Sequence, residues 1–370
     1  MNDLSASREL GKRINRQHLL NLIKAGPTSR ADIAQETGLS PATVSNLTAE
    51  LLAEGLVQQT GVVEAPRGRP RVLLRLNSEA RYVVGVKVMP TELVAVVTDL
   101  DATVVATRTL ATPDGDDSPP AFIGRLAQVV DAIVEDAGIG RDDLLGVGIA
   151  LAGIIDAAAG IARYSPFLGW RDLDLVTPLR ERLGLDVQRA NDVDSLTIAE
   201  QWFGHGRGLS DVVVVTVGRG IGAGFVLNGR FYGGRRGGVG ELAHMPVAPA
   251  GPRCTCGQCG CLEALASDVA VVTAAAAAVE AGRSTSLVDA HSIDLRAIIE
   301  AADAGDPYAR ELLAESGRWL GVGVATLINL LNPQRVIVAG EGVEAGEWRL
   351  APMRAAIDEL RFEAAGAETE

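Results

Sequence analysis

The sequence predicts an α/β protein in two parts, a small helical head with a β-wing and a larger body of alternating strands and helices. Three observations carry that expectation. Residues 10–54 hold three segments of helical period in close succession. From Tyr82 onward, runs of valine, leucine and isoleucine alternate with helical stretches, the texture of buried strands covered by helices. And a chain of 370 residues, 47% hydrophobic and 4% aromatic, is too long for one ordinary core.

The head comes first. Residues 10–26 read as a helix, with Ile14, Leu19, Leu20 and Ile23 near helical spacing and Gly26-Pro27 ending it. Ser29 caps a second helix, Arg30 to Thr37, with Ile33 and Ala34 inward. Gly38-Leu39-Ser40 forms a tight turn, and Pro41 opens a third helix that runs to Glu54. Val44, Leu47, Leu51 and Leu52 mark its inner side. Ala42, Thr43, Ser45, Asn46 and Thr48 lie opposite, all small or hydrogen-bonding, as a helix entering a DNA major groove requires. Arg30, Pro41, Ala42, Thr43, Ser45 and Asn46 are therefore the candidate DNA contacts. A wing follows from Leu56 to Leu76, with β runs at Leu56–Thr60 and Val72–Leu76. Within it, Pro66-Arg67-Gly68-Arg69-Pro70-Arg71 looks like the core of an AT-hook, so Arg67 and Arg69 are expected in a narrow minor groove.

Charge supports that assignment. Residues 1–75 hold ten Lys+Arg against seven Asp+Glu, whereas the rest hold 24 against 40, within an overall charge of −13. A mildly basic head on an acidic body meets DNA with the head alone. There is neither a basic-then-apolar leader nor an apolar run of bilayer length, so the expectation is a cytoplasmic protein without membrane contact.

The body opens with three predicted strands, Val83–Met89, Leu93–Thr98 and Val104–Leu110, and a helix from Ala121 to Ala137. A strand at Leu145–Ala150 leads into the turn Gly153-Ile154-Ile155-Asp156. Ile161 to Trp170 reads as irregular, a helix spans Leu175–Leu183, and a short strand covers Asp186–Arg189. Asn191-Asp192 stands at its end, before a helix from Asp194 to Phe203. Strands at Val212–Val217 and Ala223–Leu227 flank a glycine-rich turn. Helices are expected at 264–281, 293–303 and 307–331, then a strand at Val336–Ala339 and a helix from Ala345 to Leu360. The remaining FEAAGAETE reads as a polar, loose tail.

The stretch Gly238 to Glu263 holds all four cysteines. Cys254, Cys256 and Cys261 offer three thiolates, and His244 lies ten residues before the first. Cys₃His is a closed structural set for tetrahedral zinc, and disulfides are rare in the cytosol. A four-cysteine site would have to wrap the metal within very few residues. His244 is therefore preferred as fourth ligand and Cys259 is left spare.

Gly240-Glu241-Leu242-Ala243-His244, followed by Cys254-x-Cys256-Gly257-x-x-Gly260-Cys261-Leu262-Glu263, resembles the signature of the ROK family of sugar-responsive repressors and sugar kinases. Ala243 stands where the family usually has glycine. The head, SRADIAQETGLSPATVSNLTAELLAEGLV, separately resembles the winged heads of ROK repressors. The resemblance implies a two-lobed, actin-like sugar-kinase fold behind the head, with 1–76 as head and linker, 80–190 as first lobe and 191–370 as second. It implies that Glu241, His244 and Glu263 face a sugar, that Asn191 and Asp192 join them, and that Gly153 lines the same site. Zinc would brace the loop presenting them. It also implies a homodimer or homotetramer on a palindromic double-stranded operator, with a sugar or sugar phosphate as effector. Family members usually run on through a further strand and long helix, so the C-terminal end looks short.

Two functions compete, a repressor with a non-catalytic sugar sensor and an ATP-dependent ROK sugar kinase. The first strand pair decides between them. Where ROK kinases carry Asp-x-Gly-Gly-Thr, this chain has Lys87-Val88-Met89-Pro90-Thr91. Lysine replaces the metal-binding acid, and proline removes a backbone donor where phosphate would sit. The sequence therefore predicts a regulator without catalytic residues. Gly218 to Gly224 looks like the family's second phosphate loop, and Glu341 replaces a glycine in its adenosine-side turn.

Overall fold

A computed structural model describes residues 3–64, 70–112, 118–156, 159–165 and 169–370. In chain order, the head comprises α1 (Asp3–Ala25), β1 (Thr28–Ser29), α2 (Arg30–Thr37), α3 (Pro41–Ala53), β2 (Val57–Val63) and β3 (Arg71–Leu76). Then come β4 (Tyr82–Val88), β5 (Glu92–Thr98), β6 (Val104–Ala111), α4 (Pro119–Ala137), β7 (Leu144–Leu151), β8 (Ile154–Asp156), β9 (Ile161–Ser165), β10 (Trp170–Leu173), α5 (Val176–Leu183) and β11 (Val187–Asn191). The remainder is α6 (Asp192–Phe203), β12 (Val212–Val217), β13 (Ile221–Leu227), β14 (Arg230–Phe231), α7 (Glu263–Ala266), α8 (Asp268–Glu280), α9 (Leu295–Asp303), α10 (Pro307–Leu331), β15 (Arg335–Ala339), α11 (Glu347–Leu360) and α12 (Glu363–Gly366). Contacts divide the chain into two compact units, Met1–Ile149 with Val176–Gln188, and Ala150–Leu175 with Arg189–Glu370.

In the first unit, α1, α2 and α3 close on a three-stranded sheet of order β1-β3-β2, a winged helix-turn-helix. Its core is Leu19, Ile23, Ile33, Val44, Leu47, Leu51, Val57 and Leu74. Ser29 caps α2 in a box whose second member is Asp32, and Ser40 accepts from the Thr43 amide to start α3. Helix α1 begins at Asp3, well before the predicted residue 10, and Ile14, expected inward, is 45% exposed. The larger sheet has the order β11-β7-β4-β5-β6, with β4, β5 and β6 an antiparallel meander. Phe122, Leu126, Val130 and Ile133 of α4 are buried.

The second unit contains a four-stranded sheet, β14-β13-β12-β15, in which β12 and β15 run parallel. Alternate residues of β12 (Val213, Val215 and Val217) pack with Leu320, Val324 and Ile328 of α10 and Met353 of α11. Gly321 lets these two helices close, because a Cβ there would stand 2.6 Å from Ala356 Cβ. Arg349 of α11 is fully buried and donates to Asp268 at 2.7 Å and to the Gly342 carbonyl at 2.8 Å. That pair ties α11 to the start of α8 and to the turn after β15.

Three expectations need correction. Among the described residues, Ile161–Ser165 and Trp170–Leu173 are not irregular, because β8, β9 and β10 form their own antiparallel sheet. The predicted helix over 264–281 breaks at Ser267, whose hydroxyl accepts from the Ala270 amide and restarts it as α8. The tail is not loose, since Glu370 exchanges backbone hydrogen bonds with Gln334 (3.0 Å) and Val336 (2.8 Å) along the edge of β15.

Candidate functional site

The site in the second unit is assembled from four pieces of chain. The first is the β11–α6 junction. Asn191 caps α6: its Oδ1 accepts from the amides of Val193 (2.8 Å) and Asp194 (3.3 Å), while its Nδ2 donates to the Gly153 carbonyl at 2.9 Å. The cap occupies both ends of the amide that sequence reasoning offered to sugar hydroxyls. Gly153, at φ +121°, is the second piece, and any Cβ there would overlap the Tyr164 carbonyl. Asp192 opens α6 half-buried, and Asp194 lies buried one step further on.

The third piece presents Glu241. Gly240 takes φ +85° against the Ala223 carbonyl and accepts from the Ala223 amide at 3.0 Å, which fixes the loop to β13. Glu241 then lies 3.9 Å from His244 Nε2. Burial, followed by the Asp192 and Glu241 charges, pushes the Asp194 carboxyl up to about 6. Asp194 was missed by the sequence reading. Its signal was the Asp-x-Asp spacing in the first turn of a helix that follows a buried strand.

The fourth piece is the cysteine loop. Candidate ligand atoms of His244, Cys254, Cys256 and Cys261 all lie within 4.8 Å of one another. His244 Nδ1 stands 3.6 Å from Cys254 Sγ, and Cys256 Sγ stands 3.6 Å from Cys261 Sγ. A tetrahedron with metal–sulfur bonds of about 2.3 Å has sulfur–sulfur edges of about 3.8 Å. The spacing fits a shared metal, and a disulfide would need about 2.05 Å. Burial pushes the Cys261 thiol up to about 12, a disfavoured thiolate that a divalent cation would stabilise. Cys259 is exposed and outside the cluster. Glu263 begins α7, with Oε1 4.0 Å from Cys254 Sγ and 3.5 Å from Thr255 Oγ1.

The glycine-rich turn between β12 and β13 faces carboxylates. A Cβ on Gly218 would lie 2.6 Å from Glu341 Oε2, and one on Gly220 3.0 Å from Glu263 Oε2. Gly224 serves packing, since a Cβ there would overlap Thr197 of α6. In the first unit, Met89 donates to the Glu92 carbonyl at 2.9 Å, closing a tight β4–β5 turn that contains Pro90.

In the head, Pro41, Ala42, Ser45 and Asn46 are exposed on α3, and Thr43 is half-buried with its hydroxyl 2.8 Å from Ser40 Oγ. Thr48, expected on the outer face, is fully buried and holds Arg30 Nε at 2.8 Å, so Arg30 is engaged inside the head. Arg71 of the wing donates to Asp32 at 2.6 Å. Arg67 and Arg69 lie outside the described residues.

A family model described as ROK family matches residues 83–369. The chain belongs to the ROK family. An IclR helix-turn-helix model matches residues 18–61 of this ROK protein. It is 31% identical over 353 residues to the DNA-binding transcriptional dual regulator NagC of Escherichia coli K12, covering 95% of this chain and 86% of that one. It is 29% identical to the xylose repressor of Bacillus subtilis 168, covering 94% and 87%. A crystal structure of a ROK family transcriptional regulator, a homolog of the E. coli MLC protein, superposes with a TM-score of 0.86 at 30% identity, covering 97% of this chain and 91% of that one. A ROK family glucokinase from Streptomyces griseus, solved with glucose and AMPPNP, covers only 75% of this chain, at a TM-score of 0.64. Relatives that share both parts are regulators by name, so this ROK protein is a transcriptional regulator of the repressor type, with a helix-turn-helix head on a kinase-type fold. Among the described residues, no helix is long and apolar enough to cross a membrane.

Proposed function

We propose that this ROK regulator reads a sugar in its second unit and answers by changing how its head, residues 1–76, holds an operator. The observation that carries the reading is the acidic cluster of Asp192, Asp194 and Glu241 beside the four metal-ligand side chains. Carboxylates accept hydrogen bonds from hydroxyls in pairs, which suits vicinal diols. With the Asn191 amide engaged as a helix cap, Asp192, Glu241 and Glu263 do the accepting, and His244 Nε2 orients Glu241. Gly153 keeps that wall tight to β11.

His244, Cys254, Cys256 and Cys261 would hold zinc, which would supply a fixed cross-link and no chemistry. Its part is to keep Glu241 and Glu263 at a constant spacing, since one ligand lies three residues after the first and another two before the second. A repressor of this kind works as a homodimer or higher oligomer on a double-stranded operator with two half-sites. Pro41, Ala42, Thr43, Ser45 and Asn46 meet the major groove, and Arg67 and Arg69 the minor groove. The names of the N-acetylglucosamine and xylose repressors among the relatives support a sugar as effector.

The test is a thermal-shift screen of the full chain against sugars, because a ligand bound only to the folded form raises its melting temperature. Each hit is then assayed for release from operator DNA. Absence of stabilisation by any neutral or charged sugar would refute the sensor reading.

A further inference from the structure

The second unit contains a cavity of about 500 Å³ lined by Ile154, Tyr232, Gly234, Arg235, Arg236, Gly238 and Val239. Its walls continue the sugar-facing segments at two points. Ile154 follows Gly153, whose carbonyl holds Asn191, and Val239 comes two residues before Glu241. The loop is pinned at its base. Gly237, at φ +69°, lies so close to β8 that a Cβ would overlap the Ile155 carbonyl.

Two guanidiniums at adjacent positions on one cavity repel each other. Among the described residues, no hydrogen bond or ion pair engages Arg235 or Arg236. Asp156, whose carboxyl feels the Arg236 charge, is already bound to Arg163 at 3.0 Å and to the Ala159 amide at 3.0 Å. Apart from these two, the loop from Gly233 to Gly240 is glycine and valine, so the arginines are its only polar side chains. Arginine forks match the planar oxygens of phosphates and carboxylates two at a time.

We infer that Arg235 and Arg236 form an oxyanion subsite, so that the effector is an anionic sugar, a sugar phosphate or a sugar acid, in preference to its neutral parent. This rests on the sensor reading above. The acidic cluster takes the hydroxyls and the arginine cavity takes the charged substituent. Carboxylates for the hydroxyls and guanidiniums for the charged substituent also orient a ligand that has one charged end, because the reversed pose places anion against anion.

The experiment is calorimetric titration of the full-length protein with matched sets: glucose, glucose 1-phosphate, glucose 6-phosphate and glucuronate; N-acetylglucosamine and its 6-phosphate; and inorganic phosphate alone. One charge-assisted hydrogen bond corresponds to about a ten- to hundred-fold change in affinity. At least one anionic member should therefore bind about ten-fold or more tightly than its neutral parent, and the preference should fall as salt rises. In the Arg235→Ala/Arg236→Ala protein, anionic and neutral members should bind within about two-fold of each other, while the double Lys variant keeps part of the preference. Preference for a phosphate or for glucuronate identifies the source of the anion. Neutral sugars binding as tightly as every anionic partner would overturn the inference. If no sugar binds, the sensor reading fails, and the subsite is judged on inorganic phosphate. Binding lost in the double Ala variant sustains it, and no binding overturns it.

Discussion

Asp194 offers a sharp quantitative test, because its chemistry and its place in the site make opposite demands. Its carboxyl is pushed from the ordinary 3.8 to about 6, first by burial and then by the charges of Asp192 and Glu241. A raised carboxyl favours the fold while it is protonated in both states. That contribution is complete below about pH 4 and is lost as pH rises through about 6. At pH 8 the ionised group therefore costs the fold roughly 3 kcal/mol at most, from 1.36 kcal/mol per tenfold change in proton affinity. Asp194→Asn keeps the shape and removes the charge. It should melt above the native protein at pH 8 by at most about 6–12 °C, at about 2–4 °C per kcal/mol for a unit of this size. The difference should fall to about a third of that by about pH 4.5 and approach zero only below about pH 3.5. Thermal melts of both proteins across pH 4.5–8 decide the matter. A difference independent of pH, or a variant less stable at pH 8, would refute the reasoning. The same variant should bind the effector more weakly, which would mark the acidic cluster as stability given up for recognition.

Cys256→Ser should cut bound zinc from one per chain to less than half, measured by metal analysis, and weaken effector binding with it; normal binding without zinc would remove the bracing role. Arg67→Ala/Arg69→Ala should weaken operator binding and lower its salt slope by about two phosphate equivalents at most, in filter-binding or anisotropy titrations. Asp306 accepts from Thr285 Oγ1, Ser286 N and Oγ, Tyr308 N and Ala309 N, which holds its carboxyl far below the usual range despite burial. Its stabilisation is present above about pH 4 and lost as pH falls, so Asp306→Ala should cost about 2–4 kcal/mol in urea melts at pH 7 and narrow the gap to native in acid. With magnesium, ATP and any sugar that stabilises the protein, a coupled assay should read no phosphorylated product. Turnover above blank that vanishes in Asp192→Asn would make the protein a kinase.

The head was legible because each of its devices is local. Ser29 and Ser40 cap, Gly38 turns, Pro41 opens the next helix, and the apolar spacing of α3 points Val44, Leu47 and Leu51 inward. The cysteine cluster was legible for the same reason, since its spacing nearly dictates convergence. What escaped depends on partners distant in sequence. Thr48 looked like an outer-face hydroxyl until Arg30, eighteen positions away, is seen to hold it in the interior. The chain alone favours Asn191 as a sugar ligand over a helix cap, and only the Gly153 carbonyl shows that both ends of its amide are engaged. Ser267 breaks a run of residues that propensity would leave helical, because the cap it provides for α8 outweighs one more turn.

The kinase-type fold also shows how a glycine-rich turn can lose the features of a phosphate loop. A phosphate loop works when backbone N–H groups converge on a space that holds no other anion. Here the turn from Gly218 to Gly220 keeps its glycines, but Glu341 and Glu263 lie against them at 2.6 and 3.0 Å from where a Cβ would stand. Glu341 is held there by the turn that Arg349 grips through Gly342, and the Asp268 amide donates to the Gly218 carbonyl at 2.8 Å. Two carboxylates facing the turn repel a triphosphate by Coulomb force. Glu263 is also a candidate sugar acceptor, so one residue can serve the hydroxyl side and guard the phosphate side. Removing the Glu341 carboxylate alone therefore still leaves the turn facing Glu263.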